Sequence, residues 1–225
     1  MSGRSVILAR IRTALKVAPD DAARASAVAG RLAASPLGVI PARGQLPQKE
    51  RVELFCRMAE KVSATVKRVR KAESVPKAVA AYLRARNLPA SVRMGADGRL
   101  KAMPWTSVRS LEVKNGPAEP EDMVGVSHAV AGVAETGTIV LHSGADNPTT
   151  VNFLPEHHIV VVDAKDITGD LETALSGIRQ AFGKGEMPRT LNLITGPSRS
   201  GDIEQKLLLG AHGPRALHLI VVDGG

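Results

Sequence analysis

Two short stretches carry the residue types that chemistry needs. The first is Thr195-Gly196-Pro197-Ser198-Arg199-Ser200-Gly201-Asp202-Ile203-Glu204, continued by Gly210-Ala211-His212-Gly213-Pro214. Gly196 and Gly201 give it the outline G-x-x-x-x-G. A nucleotide P-loop follows that outline with Lys and then Ser or Thr, because the lysine holds the β and γ phosphates. Here Asp202 and Ile203 follow instead, so an ATPase or GTPase reading is rejected. A simpler anion site remains: free backbone N–H groups, Ser198, Ser200 and Arg199 suit a carboxylate or phosphate. Asp202 either opposes such an anion or complements the dipole of a helix beginning there. His212, beside a Gly-Pro turn, is the histidine best placed to touch a ligand.

The second stretch is Ala134-Glu135-Thr136-Gly137-Thr138. Glu135 interrupts a run of small and β-branched residues, where an acid is costly unless it is paired or hydrogen-bonded. A carboxylate beside a glycine turn can serve as nucleophile or base. The plainer reading is a turn residue at a hairpin tip. The other polar groups exclude more than they suggest. All six histidines lie beyond residue 127, and no H-E-x-x-H or close H-x-H pair occurs. His157 and His158 are consecutive, so on a strand they face opposite sides and cannot share a metal. Ser198 does not lie in G-x-S-x-G, and no G-x-G-x-x-G stands at a strand–helix junction.

The elements around these stretches follow from periodicity. Leu191 to Ile194 reads as a buried strand leading into Gly196. Ser200 would cap a helix carrying Ile203, Leu207 and Leu208, and Ala216 to Val222 would be the next strand. That is a βαβ unit, with the Gly196 loop at the carboxyl end of a strand, where open α/β sheets bind ligands. Val124 to His142 reads as two strands broken at Glu135 to Gly137. Ser5 to Lys16, Ala22 to Ala34, Gln48 to Ser63, Val75 to Arg86 and Leu171 to Phe182 read as helices. Thr65 to Val69, Ser91 to Met94 and Ile159 to Val162 read as strands. Ser35 to Pro47 holds three prolines and two glycines and reads as a linker. The two stretches are expected side by side at the carboxyl edge of a largely parallel sheet.

The chain has 225 residues, enough for one domain with a sizeable core. No run of about 18 apolar residues suggests a membrane span, and the Arg-interrupted start does not read as a secretory signal. Residues 1–115 hold 23 Lys and Arg against 8 Asp and Glu, whereas residues 116–225 hold 7 against 14. That polarity fits an acidic partner or head-to-tail docking of copies, if it is not simply a solvated basic face. Only five aromatic residues are present, too few for a base-stacking platform, so nucleic acid is not the expected partner.

Gly196 to Glu204 with His212-Gly213-Pro214 resembles the C-terminal signature of the LUD-domain family. Ala134-Glu135-Thr136-Gly137-Thr138-Ile139-Val140-Leu141 resembles a second motif of that family. Asn152-Phe153-Leu154-Pro155-Glu156-His157-His158-Ile159 resembles a third, and Ile7 to Arg12 is similar to its lactate-utilization members. The resemblance implies an α/β fold: a three-layer α/β/α architecture with a mostly parallel sheet, as in the NagB/RpiA/CoA-transferase group. An N-terminal helical extension, residues 1–47, would precede the LUD domain at 48–225. It further implies a cytoplasmic subunit of an L-lactate utilization system, oxidising L-lactate to pyruvate with iron–sulfur partner proteins. No cofactor or metal is then expected in this chain, in keeping with its single cysteine, Cys56. Thr136, Gly137, Thr138, Asn152, Gly196, Ser198, Arg199, Ser200, Asp202 and His212 are the expected ligand contacts, for a small carboxylate. The alternative is an enzyme of CoA-transferase or sugar-phosphate isomerase type with Glu135 as catalytic residue. Family members often carry an acid where this chain has Val130.

Overall fold

Short runs of Val, Ile and Leu bounded by turns become strands, and the longer runs with apolar residues three and four apart become helices. In chain order these are α1 (Gly3–Leu15), α2 (Ala22–Ala34), α3 (Gln48–Lys61), β1 (Thr65–Val69), α4 (Val75–Ala85) and β2 (Ser91–Met94). Then come α5 (Gly98–Lys101), β3 (Glu112–Asn115), β4 (Val124–His128), β5 (Ala131–Val133), β6 (Thr138–His142), α6 (Thr150–Phe153) and β7 (His157–Asp163). The remainder is β8 (Ile167–Thr168), α7 (Leu171–Phe182), β9 (Leu191–Ile194), β10 (Arg199–Ile203), β11 (Lys206–Leu209) and β12 (Ala216–Val222). This computed structural model describes residues 3–18, 20–34, 38–183, 185–203 and 206–224, with backbone alone for 201–203 and 206–209.

The chain forms two compact units, Met1–Val39 and Ile40–Gly225. The first is the helix pair α1 and α2, neither of which buries a residue. Residues 40–47, expected in the linker, belong to the second unit. The backbone of Gly44 lies against that of Gly169, and Gln45 Nε2 donates to Asp170 Oδ2 at 2.9 Å. Asp170 also caps α7 by accepting from the Thr173 N–H at 2.8 Å. Burial opposes its ionisation, but the hydrogen bonds from Thr173 and Gln45 prevail and hold its carboxyl below the usual range.

In the second unit, six strands form a wholly parallel sheet in the order β1-β12-β7-β4-β2-β3. Strand β12 is thus inserted between β1 and β7. Alternate residues of these strands serve two cores. Ile159, Val161, Ile220 and Val222 pack with Val79 and Leu83 of α4 and with Trp105. Trp105 donates its indole N–H to the Leu100 carbonyl at 2.6 Å. Val160, Val162, Leu219 and Val221 face the other way, against Val52, Phe55 and Ala59 of α3. Helices therefore cover both faces of a parallel sheet, the expected α/β class.

A second sheet was not anticipated. Strands β8-β5-β6-β9 form it, with β6 antiparallel to both β5 and β9. Ile139 and Leu141 of its inner face join α3 over the large sheet, and Val133 and Val140 of its outer face receive Ala174 and Ile178 of α7.

Two expectations are corrected here. The segment after Ser200 is not a helix but an antiparallel hairpin of β10 and β11. Gly201 weakens a helix, and Ile203, Leu207, Leu208 and Leu209, with three of the four consecutive, do not decide the period. Strands β9 and β12 lie in different sheets, so the expected βαβ unit does not exist, and the Gly196 loop leads into β10 rather than into a helix.

Candidate functional site

At the amino ends of β7 and β12 a cleft of about 310 Å³ opens. Asn152 and Phe153 of α6 form one side. Leu193 to Arg199, running out of β9, form another, and His212 to Pro214 close it. His158 and Leu217, each the second residue of its strand, make the floor. Two backbone bonds tie the walls together: Ser198 N–H donates to the Pro214 carbonyl at 2.9 Å, and Gly210 N–H donates to the Ser198 carbonyl at 3.0 Å. Gly196 makes the tight wall feasible. Its φ is +80°, and a Cβ there would run into the Val62 carbonyl at the end of α3.

Beneath the cleft lies a buried polar relay. The Ser127 hydroxyl donates to Asn152 Oδ1 at 2.6 Å. Its single hydrogen is then committed, so towards His158, at 3.0 Å, it accepts from Nε2–H. Burial pushes His158 down to about 3, so the ring is neutral and keeps one proton for this bond. The relay fixes the Asn152 amide with its oxygen turned to Ser127. Asn152 is only 1 % exposed, and its Nδ2 has no hydrogen-bond partner among the described residues. A buried amide donor left this way costs about 1–3 kcal/mol. An acceptor oxygen entering the cleft at this wall would recover that cost.

The expected contacts divide between this cleft and its surroundings. Asn152, Gly196, Ser198, Arg199 and His212 line it. Arg199 Nη2 donates to the Val62 carbonyl at 2.8 Å and to Ser63 Oγ at 2.5 Å, placing its cation at the carboxyl end of α3. Thr136, Thr138 and Thr195 form a hydroxyl chain behind the cleft, with successive oxygens 2.7 Å apart. Gly137, φ +68°, seats its turn on α3, where a Cβ would run into the Ala59 nitrogen. Ser200 lies in β10 opposite Leu208, and the Asp202 side chain falls outside the described residues. The cleft is not at the carboxyl edge of the parallel sheet, as expected, because β9 leads into it from the second sheet.

Glu135 is buried, 7 % exposed, yet it is not among the residues lining the cleft. Its Oε1 accepts from the Leu171 N–H at 3.2 Å, at the start of α7, and Oε2 stands 3.9 Å from Arg43 Nε. A carboxylate so placed satisfies a helix N-terminus. Sequence reasoning missed Ser127 and the role of His158. The available signal was a hydroxyl and a histidine following the apolar run Val124 to Val126 in a wholly buried strand.

The other histidines have their own partners. His157 faces away from His158, as alternation requires, and its Nδ1 lies 2.9 Å from the Tyr82 hydroxyl. His218 Nδ1 lies 2.7 Å from Thr65 Oγ1 and its ring stacks on Tyr82. Among the described residues, no group of three or more His, Cys, Asp or Glu is placed to hold a metal ion.

Residues 122–222 match the family model of the LUD domain, so the resemblance carried by the motifs holds over that stretch. Curated proteins are also similar to this chain. Lactate utilization protein C of Geobacillus thermodenitrificans is 36% identical over 121 residues, 53% of this chain and 50% of that protein. The protein of the same name from Shouchella clausii is 38% identical over 117 residues, 52% and 49% of the two chains. That from Bacillus subtilis (strain 168) is 39% identical over 102 residues, 44% and 42%. The chain thus spans about half the length of the curated relatives it matches. A crystal structure of a DUF162 family protein from Deinococcus radiodurans superposes with a TM-score of 0.60 at 23% identity, covering 79% of this chain and 99% of that one. That likeness shows the fold. No helix among the described residues is long and apolar enough to cross a membrane.

Proposed function

We propose that this protein serves the utilization of L-lactate, and that the cleft beside Asn152 holds lactate or its 2-oxo product. The observation that carries the reading is Asn152, a lining residue of the cleft whose amide oxygen is taken by Ser127 and whose buried nitrogen has no partner among the described residues. A 2-hydroxy or 2-oxo carboxylate supplies acceptor oxygens to it, with Ser198, Arg199 and His212 on the surrounding walls. The names of the relatives point to the same class of ligand. Oxidation of L-lactate to pyruvate releases two electrons and two protons. In this reading the electrons pass to iron–sulfur centres of cytoplasmic partner proteins, and this chain contributes binding and orientation.

Titrating the purified chain with L-lactate and with pyruvate, followed by calorimetry, tests it. Saturable binding is expected, weakened about tenfold in Asn152→Ala, the size of one lost hydrogen bond to a charged group. The melting temperature should fall as well, because alanine also removes the Oδ1 that accepts from Ser127, so binding is compared at a temperature where both proteins are folded. No binding of either acid, or equal binding by Asn152→Ala, would refute the reading. So would normal growth on L-lactate as sole carbon source by a strain lacking the gene.

A further inference from the structure

At the opposite edge of the large sheet, β2 and β4 lie side by side, yet the chain leaves them in opposite directions. After β2 it moves outward to β3, whereas after β4 it leaves this sheet for β5 and β6 and re-enters it on the other side, at β7. Loops that part in this manner open a crevice at the carboxyl ends of the strands, the position where open α/β sheets bind ligands. A cavity of about 400 Å³ occupies it, lined by Asp97, Arg99, His128, His142, Asp146 and Asn147 among others.

The donors of this crevice are engaged within the protein. Arg99 Nε and Nη2 donate to Asp97 at 3.1 and 2.8 Å, and Nη1 donates to the Ala129 carbonyl at 3.1 Å. Asn147 Nδ2 donates to the His142 carbonyl at 2.6 Å. Asp97 is taken up by Arg99, but the acceptors of His128, His142 and Asp146 are not engaged among the described residues. His128 is 2 % exposed, and its Nδ1 lies 2.9 Å from the Ala129 carbonyl. A carbonyl only accepts, so Nδ1 carries the hydrogen and Nε2 the lone pair. Asp163 Oδ2 stands 3.8 Å from Nε2, beyond hydrogen-bond reach, and is itself an acceptor. Neither atom receives a hydrogen bond from the described residues. His142 repeats the arrangement, with Nδ1 3.3 Å from the Ser143 carbonyl. The Asp146 carboxylate has no ion pair among the described residues. Burial, with the Arg99 charge, holds His128 below the ordinary imidazole value, which keeps Nε2 an acceptor at neutral pH.

We propose that this crevice is a second ligand site, built for a small amine that enters as an ammonium ion. Its N–H groups would be accepted by His128 Nε2, His142 Nε2 and the Asp146 carboxylate, in surroundings where Asp163 adds negative charge. A carboxylate is disfavoured here, because the one cation lining the crevice is already neutralised by Asp97. The two clefts therefore differ in kind, one offering a donor and the other acceptors.

The test titrates 1,4-diaminobutane into the full chain at pH 7 and follows the side-chain nitrogens of His128 and His142 by long-range ¹H–¹⁵N NMR. Saturable shifts at both rings are expected, with none from the uncharged isostere 1,4-butanediol. Asp146→Asn, an exposed position that does not threaten folding, should weaken the amine at least about tenfold. His128→Gln should abolish the effect at the remaining ring, and Asp146→Asn carries the test if His128→Gln does not fold. Asn152→Ala should leave the amine titration unchanged, so this site and the lactate cleft stand or fall separately. The proposal is overturned by absent or unsaturable shifts, by equal response to the diol, or by zinc shifting both rings where the amine does not.

Discussion

Replacing His158 by Gln should make the protein markedly less sensitive to acid. In the folded chain burial pushes His158 to about 3, and burial with nearby Arg86 brings His218 to about 4, against an ordinary value of 6.5. As pH falls below 6.5 the unfolded chain takes up a proton at each site, whereas the folded chain does not. Unfolding then binds protons, so stability falls with falling pH across the window from 6.5 to about 4. Each pH unit is worth about 1.4 kcal/mol per group. At pH 4.5, two units below 6.5, His158 removes about 3 kcal/mol and His218 slightly less, roughly 5 kcal/mol together. His128 and His157 are shifted in the same direction and add to this loss. Asp166, raised by burial, acts in the opposite sense. Asp97, Asp122 and Asp170, all lowered, lose their contributions only below this window. Urea unfolding at a series of pH values reads the effect. Gln retains an N–H donor for Ser127 but cannot titrate, so the loss between pH 6.5 and 4.5 should shrink by about 3 kcal/mol. An unchanged pH dependence in His158→Gln would show that His158 is not held neutral in the folded protein.

Two further substitutions probe the frame around the cleft. Gly137→Ala forces a side chain into the α3 backbone at positive φ, and should cost about 2–4 kcal/mol by chemical denaturation; a loss under about 1 kcal/mol would mean that the turn is not seated on α3. Asp122→Ala leaves the Arg93 guanidinium, now 2.6 Å from Asp122 Oδ2 and 9 % exposed, with the Asn115 carbonyl and, as its one counter-charge among the described residues, the exposed Glu119 carboxylate. A loss of about 2–4 kcal/mol is expected, and a near-neutral result would show that Glu119 alone suffices.

The large sheet was legible in the sequence because its strands are short apolar runs between clear turn signals, as at Thr65 to Val69 and Ile159 to Val162. Helices α3, α4 and α7 announced themselves through apolar spacing over three turns. The second sheet was not legible, since β5 has only three residues and β8 two. Nothing local in them distinguishes a strand from a loop. The β10–β11 hairpin was misread as a helix for a related reason: Ile203, Leu207 and Leu208 match helical spacing, while the consecutive run Leu207 to Leu209 carries no alternation to reveal a strand. Glu135 stood out as an acid among apolar residues, yet its partner, the Leu171 N–H, lies 36 positions away. Asn152 was visible through the motif containing it. What holds it was not, because Ser127 and His158 meet it only when β4, β7 and α6 have packed.

The insertion of β12 between β1 and β7 also governs how the chain can be made. Thr65 and His218 face each other across a separation of 153 residues. Until residues 216–222 have left the ribosome, β1 has no neighbour to pair with, and β7 presents an open edge of Val, Ile and His. Helix α3 and the turn at Gly137 then lack the floor on which they rest. The nascent chain must keep an apolar strand edge covered for most of its synthesis, and closure of the sheet is a late, long-range step of the kind that folds slowly. Chaperone demand during expression is thus written into the strand order.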